Sequence, residues 1–171
     1  MLSVGGTLNA RGNFMPRRHF VFTSSVVILF GLACAPAERG DEGVIEGAGS
    51  VDAFAMQIGD CFDDQLAFSE EVSDVPGVPC STAHDNEVYA TFAVTLAEWP
   101  GEDRLNDLAN EGCLERFEAA IAASYEESVL MFTTLVPSTD SWGQRNDREV
   151  VCAAYHMELD KLTGSVLKSG M

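Results

Sequence analysis

The chain is short of positive charge. It has 10 lysines and arginines against 27 acidic residues, for a formal net charge of −17. Beyond Cys34 the imbalance is sharper, with seven basic residues against all 27 acidic ones, a balance of −20. Nucleic-acid binding works by neutralising phosphates, so this composition excludes it. It also excludes resting on an anionic lipid surface through charge. A solvated acidic surface that favours solubility and basic partners is what remains. Long apolar runs are missing too. The longest, Phe20–Ala33, has 14 residues, whereas a helix needs about 20 to cross a bilayer. No internal repeat is visible, and no Gly-x-Ser-x-Gly elbow accompanies the serines, which argues against a serine nucleophile at Ser81. A second close Cys/His pair is lacking as well. Cys80-x3-His84 with Cys61 therefore falls short of a four-ligand zinc set.

What is present begins with an address. Arg17-Arg18 precede the apolar run Phe20–Ala33, the layout of an export signal. Arg17-Arg18-His19-Phe20-Val21 also resembles a twin-arginine signal. The run closes on Leu32-Ala33-Cys34, which resembles the lipobox of bacterial lipoproteins, although Gly31 stands where that pattern usually has leucine. The resemblance implies cleavage before Cys34 and lipid on that cysteine. Residues 1–34 are thus expected to be a signal peptide. Residues 35–50, rich in Gly, Ala and acid, are expected to be a flexible tether, and residues 51–171 one folded domain.

Four cysteines lie in that domain: Cys61, Cys80, Cys113 and Cys152. An even number in an exported chain reads as disulfides. Three connectivities are open, and the expected pairing is Cys61–Cys80 with Cys113–Cys152. The first would join a strand end to the loop after Pro79, the second a helix to a late strand.

The clearest element is a helix over Glu102–Tyr125. Leu105, Leu108, Ala109, Gly112, Cys113, Phe117, Ala120 and Ile121 recur along one stripe. Strand patterns fall at Phe54–Phe62, at Glu87–Leu96 (with Val88, Ala90, Phe92 and Val94 on one face), at Val129–Val136 and at Arg148–Leu159. The last is apolar on both faces and should be central. Val75–Pro79 reads as extended, and Pro137–Asp140 as the start of a loop carrying Trp142. Without a βαβ rhythm, the fold class is α+β: a mostly antiparallel sheet packed with one main helix and stapled by disulfides.

Several short motifs then line up in order: Ile58-Gly59-Asp60-Cys61-Phe62, Val78-Pro79-Cys80-Ser81 leading to His84-Asp85, then Glu87-Val88-Tyr89. Later come Pro137, Trp142, Asp147-Arg148 with Val150 and Cys152, and Leu162-Thr163-Gly164-Ser165. Together they resemble the septum-formation family of actinobacterial envelope proteins, over about residues 56–168. The chain departs at Ala83 and Asn146, where the family usually has proline and often glycine. The resemblance implies an extracytoplasmic, envelope-associated domain with a role in cell division.

For function, the expectation is a non-enzymatic binding domain, exported and either held by lipid at Cys34 on the outer face of the cell membrane or secreted, with an envelope or division protein as partner and no cofactor. Trp142, in a polar segment, is a candidate binding aromatic, with His84 and Asp85 as further candidate binding residues. The alternative is an exported hydrolase or metal-dependent enzyme using His84 with Asp85, since a histidine beside a carboxylate can serve as base or ligand. The commoner role of such a pair is structural. His156, sharing a strand face with Cys152, is read as a buried, satisfied histidine. Asp60, Asp63 and Asp64 crowd together but lack the spacing of a calcium loop.

Overall fold

The computed structural model describes residues 35–64 and 72–171. The export segment and Cys34 lie outside the described residues. The elements run β1 (Glu38–Arg39), β2 (Ile45–Gly47), β3 (Gly49–Asp52), β4 (Cys61–Phe62), β5 (Asp74–Val78), β6 (Asn86–Ala93), α1 (Glu102–Ile121), β7 (Leu130–Leu135), α2 (Thr139–Gln144) and β8 (Glu149–His156). Six strands form one sheet in the order β3-β5-β4-β6-β8-β7, and every pairing in it is antiparallel. The fold is α+β, with one main helix against the sheet and two disulfides, Cys61–Cys80 and Cys113–Cys152.

Strand β8 is central, as its two apolar faces require. Val150, Cys152 and Ala154 pack towards α1, while Val151 and Ala153 pack into a second cluster with Ile45, Val51, Met56, Phe62 and Val75. The sheet is therefore covered on both sides. Helix α1 follows Pro100-Gly101 and carries Glu102 and Asp103 in its first turn, where the helix dipole favours acid. It buries Leu105, Ala109, Gly112, Cys113, Phe117 and Ile121. It ends at Ala122, which adopts a left-handed conformation (φ 69°) and donates its N–H to the Glu118 carbonyl.

The Cys113–Cys152 disulfide links α1 to β8 across a separation of 39 residues, and Cys61–Cys80 closes a separation of 19. In the loop-entropy model the two contribute about 4 and about 3 kcal/mol. Beside the first, Tyr89 donates its hydroxyl to the Cys113 carbonyl at 2.9 Å and sets its ring edge-on to Phe117 at 5.5 Å. Burial pushes the Tyr89 phenol well above its ordinary pKa.

Four sequence expectations change. Residues 35–50 are not a free tether. They carry β1, β2 and the start of β3, bury Ile45, and hydrogen-bond through Ala37 N–H to the Ser50 carbonyl at 2.9 Å. Arg39 makes a two-pronged ion pair with buried Asp60, at 2.5 and 2.7 Å. Composition could not show this, because the partners that dock the segment, Asp60 and the apolar cluster of Val51, Met56, Phe62 and Val75, lie outside it.

Phe54–Phe62 is not one strand. Asp52 caps a 3-10 turn over Ala53–Ala55 by accepting the Phe54 N–H, and Gly59 takes a positive φ of 93°. Only Cys61–Phe62 pairs. In β6 the register slips between Val88 and Ala90, so Val88 joins the second cluster while Tyr89 and Ala90 face the α1 side. A bulge re-aims side chains in this way. Finally, Trp142 lies on the short helix α2, started by a reciprocal cap between Ser138 and Ser141, rather than in a loop.

Candidate functional site

His84 and Asp85 precede β6 and part company because successive residues of an extended chain point to opposite sides. His84 is fully buried. Its backbone pairs both ways with Leu162, at 3.1 and 2.8 Å, and its Nδ1 lies 2.8 Å from the Thr82 carbonyl. A carbonyl only accepts, so Nδ1 carries a hydrogen, and Nε2 has no partner among the described residues. Asp85 turns outward. It accepts the Asp64 N–H at 2.9 Å and the Lys161 ammonium at 2.8 Å. No hydrogen bond or ion pair joins the two side chains, so they do not form a dyad.

The three clustered aspartates also separate. Asp60 is held by Arg39 and accepts the Gln57 N–H at 2.8 Å. Asp63 accepts from Lys161 at 2.8 Å, and Asp64 accepts from Asn86 at 2.6 Å. Burial raises the Asp64 carboxyl, against the opposing pull of the Asn86 hydrogen bond. Burial also pushes Asp85 up, but Lys161 and the Asp64 amide outweigh it and hold Asp85 below the usual carboxylate range. Lys161 is raised in turn, first by its hydrogen bond to Asp63 and then by that to Asp85. This is a surface clamp that fastens the residue after β4 and the residue before β6 to the segment after β8.

One buried carboxylate escaped sequence reading. Glu87 is fully buried on β6, and its carboxylate accepts from Ser165 Oγ at 2.6 Å and from the Val166 N–H at 2.5 Å. It lies beside Cys61 and Cys80. Those two sulfurs are bonded to each other, so the trio offers no thiolate to a metal. A buried carboxylate flanked by a strand pattern was the available signal, but its partners sit 78 and 79 residues later.

Trp142 is 5% exposed and is no free aromatic anchor. It meets Trp99 edge-on at 5.4 Å, and Arg148 lies over its ring at 3.7 Å while donating to the Leu96 and Trp142 carbonyls. His156 is half-buried rather than buried; its Nδ1 accepts the Glu158 N–H at 3.2 Å.

The described surface does contain a groove, of about 550 Å³, on the sheet face away from α1. Phe54, Phe62, Thr133, Leu135, Val151 and Arg145 line it, with Asp140 and Glu149 also contributing. This volume lies in the range of ligand sites. His84, Asp85 and Trp142 are not part of it. The groove and the polar pair nominated from sequence are thus separate places.

Two disulfides staple the sheet to its helix and loops, cross-links of the kind that persist in an oxidising compartment. The septum-formation family model matches residues 58–169, more than half of the chain, and the protein belongs to that family. Comparison with curated proteins and with solved structures found no match. The family's description names a process rather than a reaction. Disulfides and family together point to an extracytoplasmic protein. Among the described residues no helix is long and apolar enough to cross a membrane.

Proposed function

We propose that this chain is an envelope domain that works by binding another envelope or division protein, held at the outer face of the membrane by lipid on Cys34. The pair of disulfides set in a septum-formation domain carries this reading, because such cross-links persist where thiols oxidise. Arg17-Arg18, the apolar run and Leu32-Ala33-Cys34 supply the export and anchoring half. Separation of His84 from Asp85 and the full use of Glu87 within the fold favour recognition over hydrolysis.

The anchor is tested by metabolic labelling with tritiated palmitate in the native host. Wild type is expected to take label and Cys34→Ala to take none. Unlabelled wild type would end the lipid claim. The binding half is tested by in-cell cross-linking: a specific adduct with one envelope protein is expected, and its absence in growing, dividing cells counts against the reading.

A further inference from the structure

Strand β7 is one outer edge of the six-stranded sheet, and β3 is the other. The β3 edge is partly covered, because Ser50 N–H donates to the Ala35 carbonyl at 2.8 Å and Ala37 N–H returns to Ser50. Strand β7 pairs with β8 alone. Met157 N–H donates to the Val129 carbonyl at 2.9 Å, which makes Leu130–His156 a non-hydrogen-bonded pair. The alternation of an antiparallel ladder then follows. Met131, Thr133 and Leu135 turn their amides to β8, and Phe132 and Thr134 turn theirs outward. Among the described residues no hydrogen bond reaches these outward groups, whereas the Leu130 N–H is taken by Ser128 Oγ at 3.0 Å.

Native sheets usually blunt such an edge with lysine, proline or a bulge. Leu130–Leu135 has no charge and no proline, and its register against β8 is unbroken. The surroundings are acidic: Glu126 and Glu127 come just before β7, Asp140 just after, and Glu149 begins β8. Among the described residues none of these four has a salt bridge. Of the nearby cations, Arg148 lies over buried Trp142, and Arg145 is engaged at the surface over the Phe54 ring at 4.4 Å.

We infer that β7 takes up an extended, lysine- or arginine-bearing segment of a partner protein as a seventh strand. The outward amides of Phe132 and Thr134 supply the backbone bonds, and the acidic surround selects the charge. A second copy fits worse. Antiparallel pairing through all of β7 would bring Glu126 and Glu127 of each copy towards Asp140 of the other. This inference rests on the binding role proposed above and names its surface.

The test uses the full chain in detergent and a capped peptide of about eight residues alternating lysine and valine. Binding is expected, with exchange of the Phe132 and Thr134 amides slowed at least about tenfold. Thr134→Pro removes an outward N–H and no bond to β8, and should weaken binding about tenfold. The same peptide N-methylated at alternate residues keeps its charge but should not bind, which holds even where Thr134→Pro fails to fold. Equal binding by both peptides, or unchanged exchange at both amides, overturns the inference as mere charge attraction. So does a dimer of the protein alone with both amides already protected. If in-cell cross-linking gives the same adduct with wild type and Thr134→Pro, the edge is refuted while the binding role stands. No adduct with either protein overturns both.

Discussion

Replacing Arg39 with methionine tests whether residues 35–47 belong to the folded domain. The Arg39 guanidinium donates to both carboxylate oxygens of Asp60, and also to the Gly43 carbonyl at 2.7 Å. The Asp60 side chain is 2% exposed and that of Arg39 24%. Arg39→Met leaves the carboxylate with the Gln57 N–H as its remaining donor. Breaking a buried pair from one side costs about 3–5 kcal/mol. Water can reach the arginine end, so the lower figure, about 3 kcal/mol, is expected here. Asp60→Asn keeps the shape and should cost about 2 kcal/mol, since the loss is a charge-assisted bond pair. The double variant should cost less than the sum by about 1–3 kcal/mol, the coupling expected of contacting groups. Urea unfolding with disulfides intact reads all three, and 0.5 M salt should change the coupling little, because buried pairs are poorly screened. Single-variant losses below about 0.5 kcal/mol, the value of an exposed pair, would refute the docking of β1 and β2.

Lys161→Met should lower stability by about 0.5–1 kcal/mol between roughly pH 4 and pH 10, with the effect fading progressively on either side of that window. Asp85 is depressed, so its contribution is present above the unfolded carboxylate pKa and lost as pH falls through the folded one. Lys161 is raised, so its share is present below the unfolded lysine pKa and lost as pH rises through the folded one. Thermal melts of both proteins across pH check this, and a constant offset at every pH would contradict it. Glu87→Ala should cost about 3 kcal/mol by stranding the Val166 N–H and opening a cavity beside Cys61–Cys80, read as a fall in the urea midpoint. Tyr89→Phe should cost about 1 kcal/mol through the lost bond to the Cys113 carbonyl, read the same way.

The elements legible in sequence were those whose signal is local. The stripe from Leu105 to Ile121 states a helix and names its buried face. The two apolar faces of β8 state a central strand. What stayed hidden depends on partners far along the chain. Arg39 finds Asp60 at 21 residues' distance, and Glu87 finds Val166 at 79. The isolated apolar pair Val44-Ile45 gave no hint that Ile45 enters a core. The bulge at Tyr89 broke a period-two pattern that looked regular. At the candidate site, adjacency in sequence suggested that His84 and Asp85 cooperate, and strand geometry instead sends them to opposite sides. The β7 edge could not be read at all, because which strand lies outermost is a property of topology.

The most direct measurement is disulfide mapping of the protein taken from envelopes of its own host, alkylated on lysis and digested without reductant. Cross-linked peptides joining Cys61 to Cys80 and Cys113 to Cys152 are expected, with no alkylation at these four positions. Alkylated, free thiols at all four in a cytosolic fraction would contradict it.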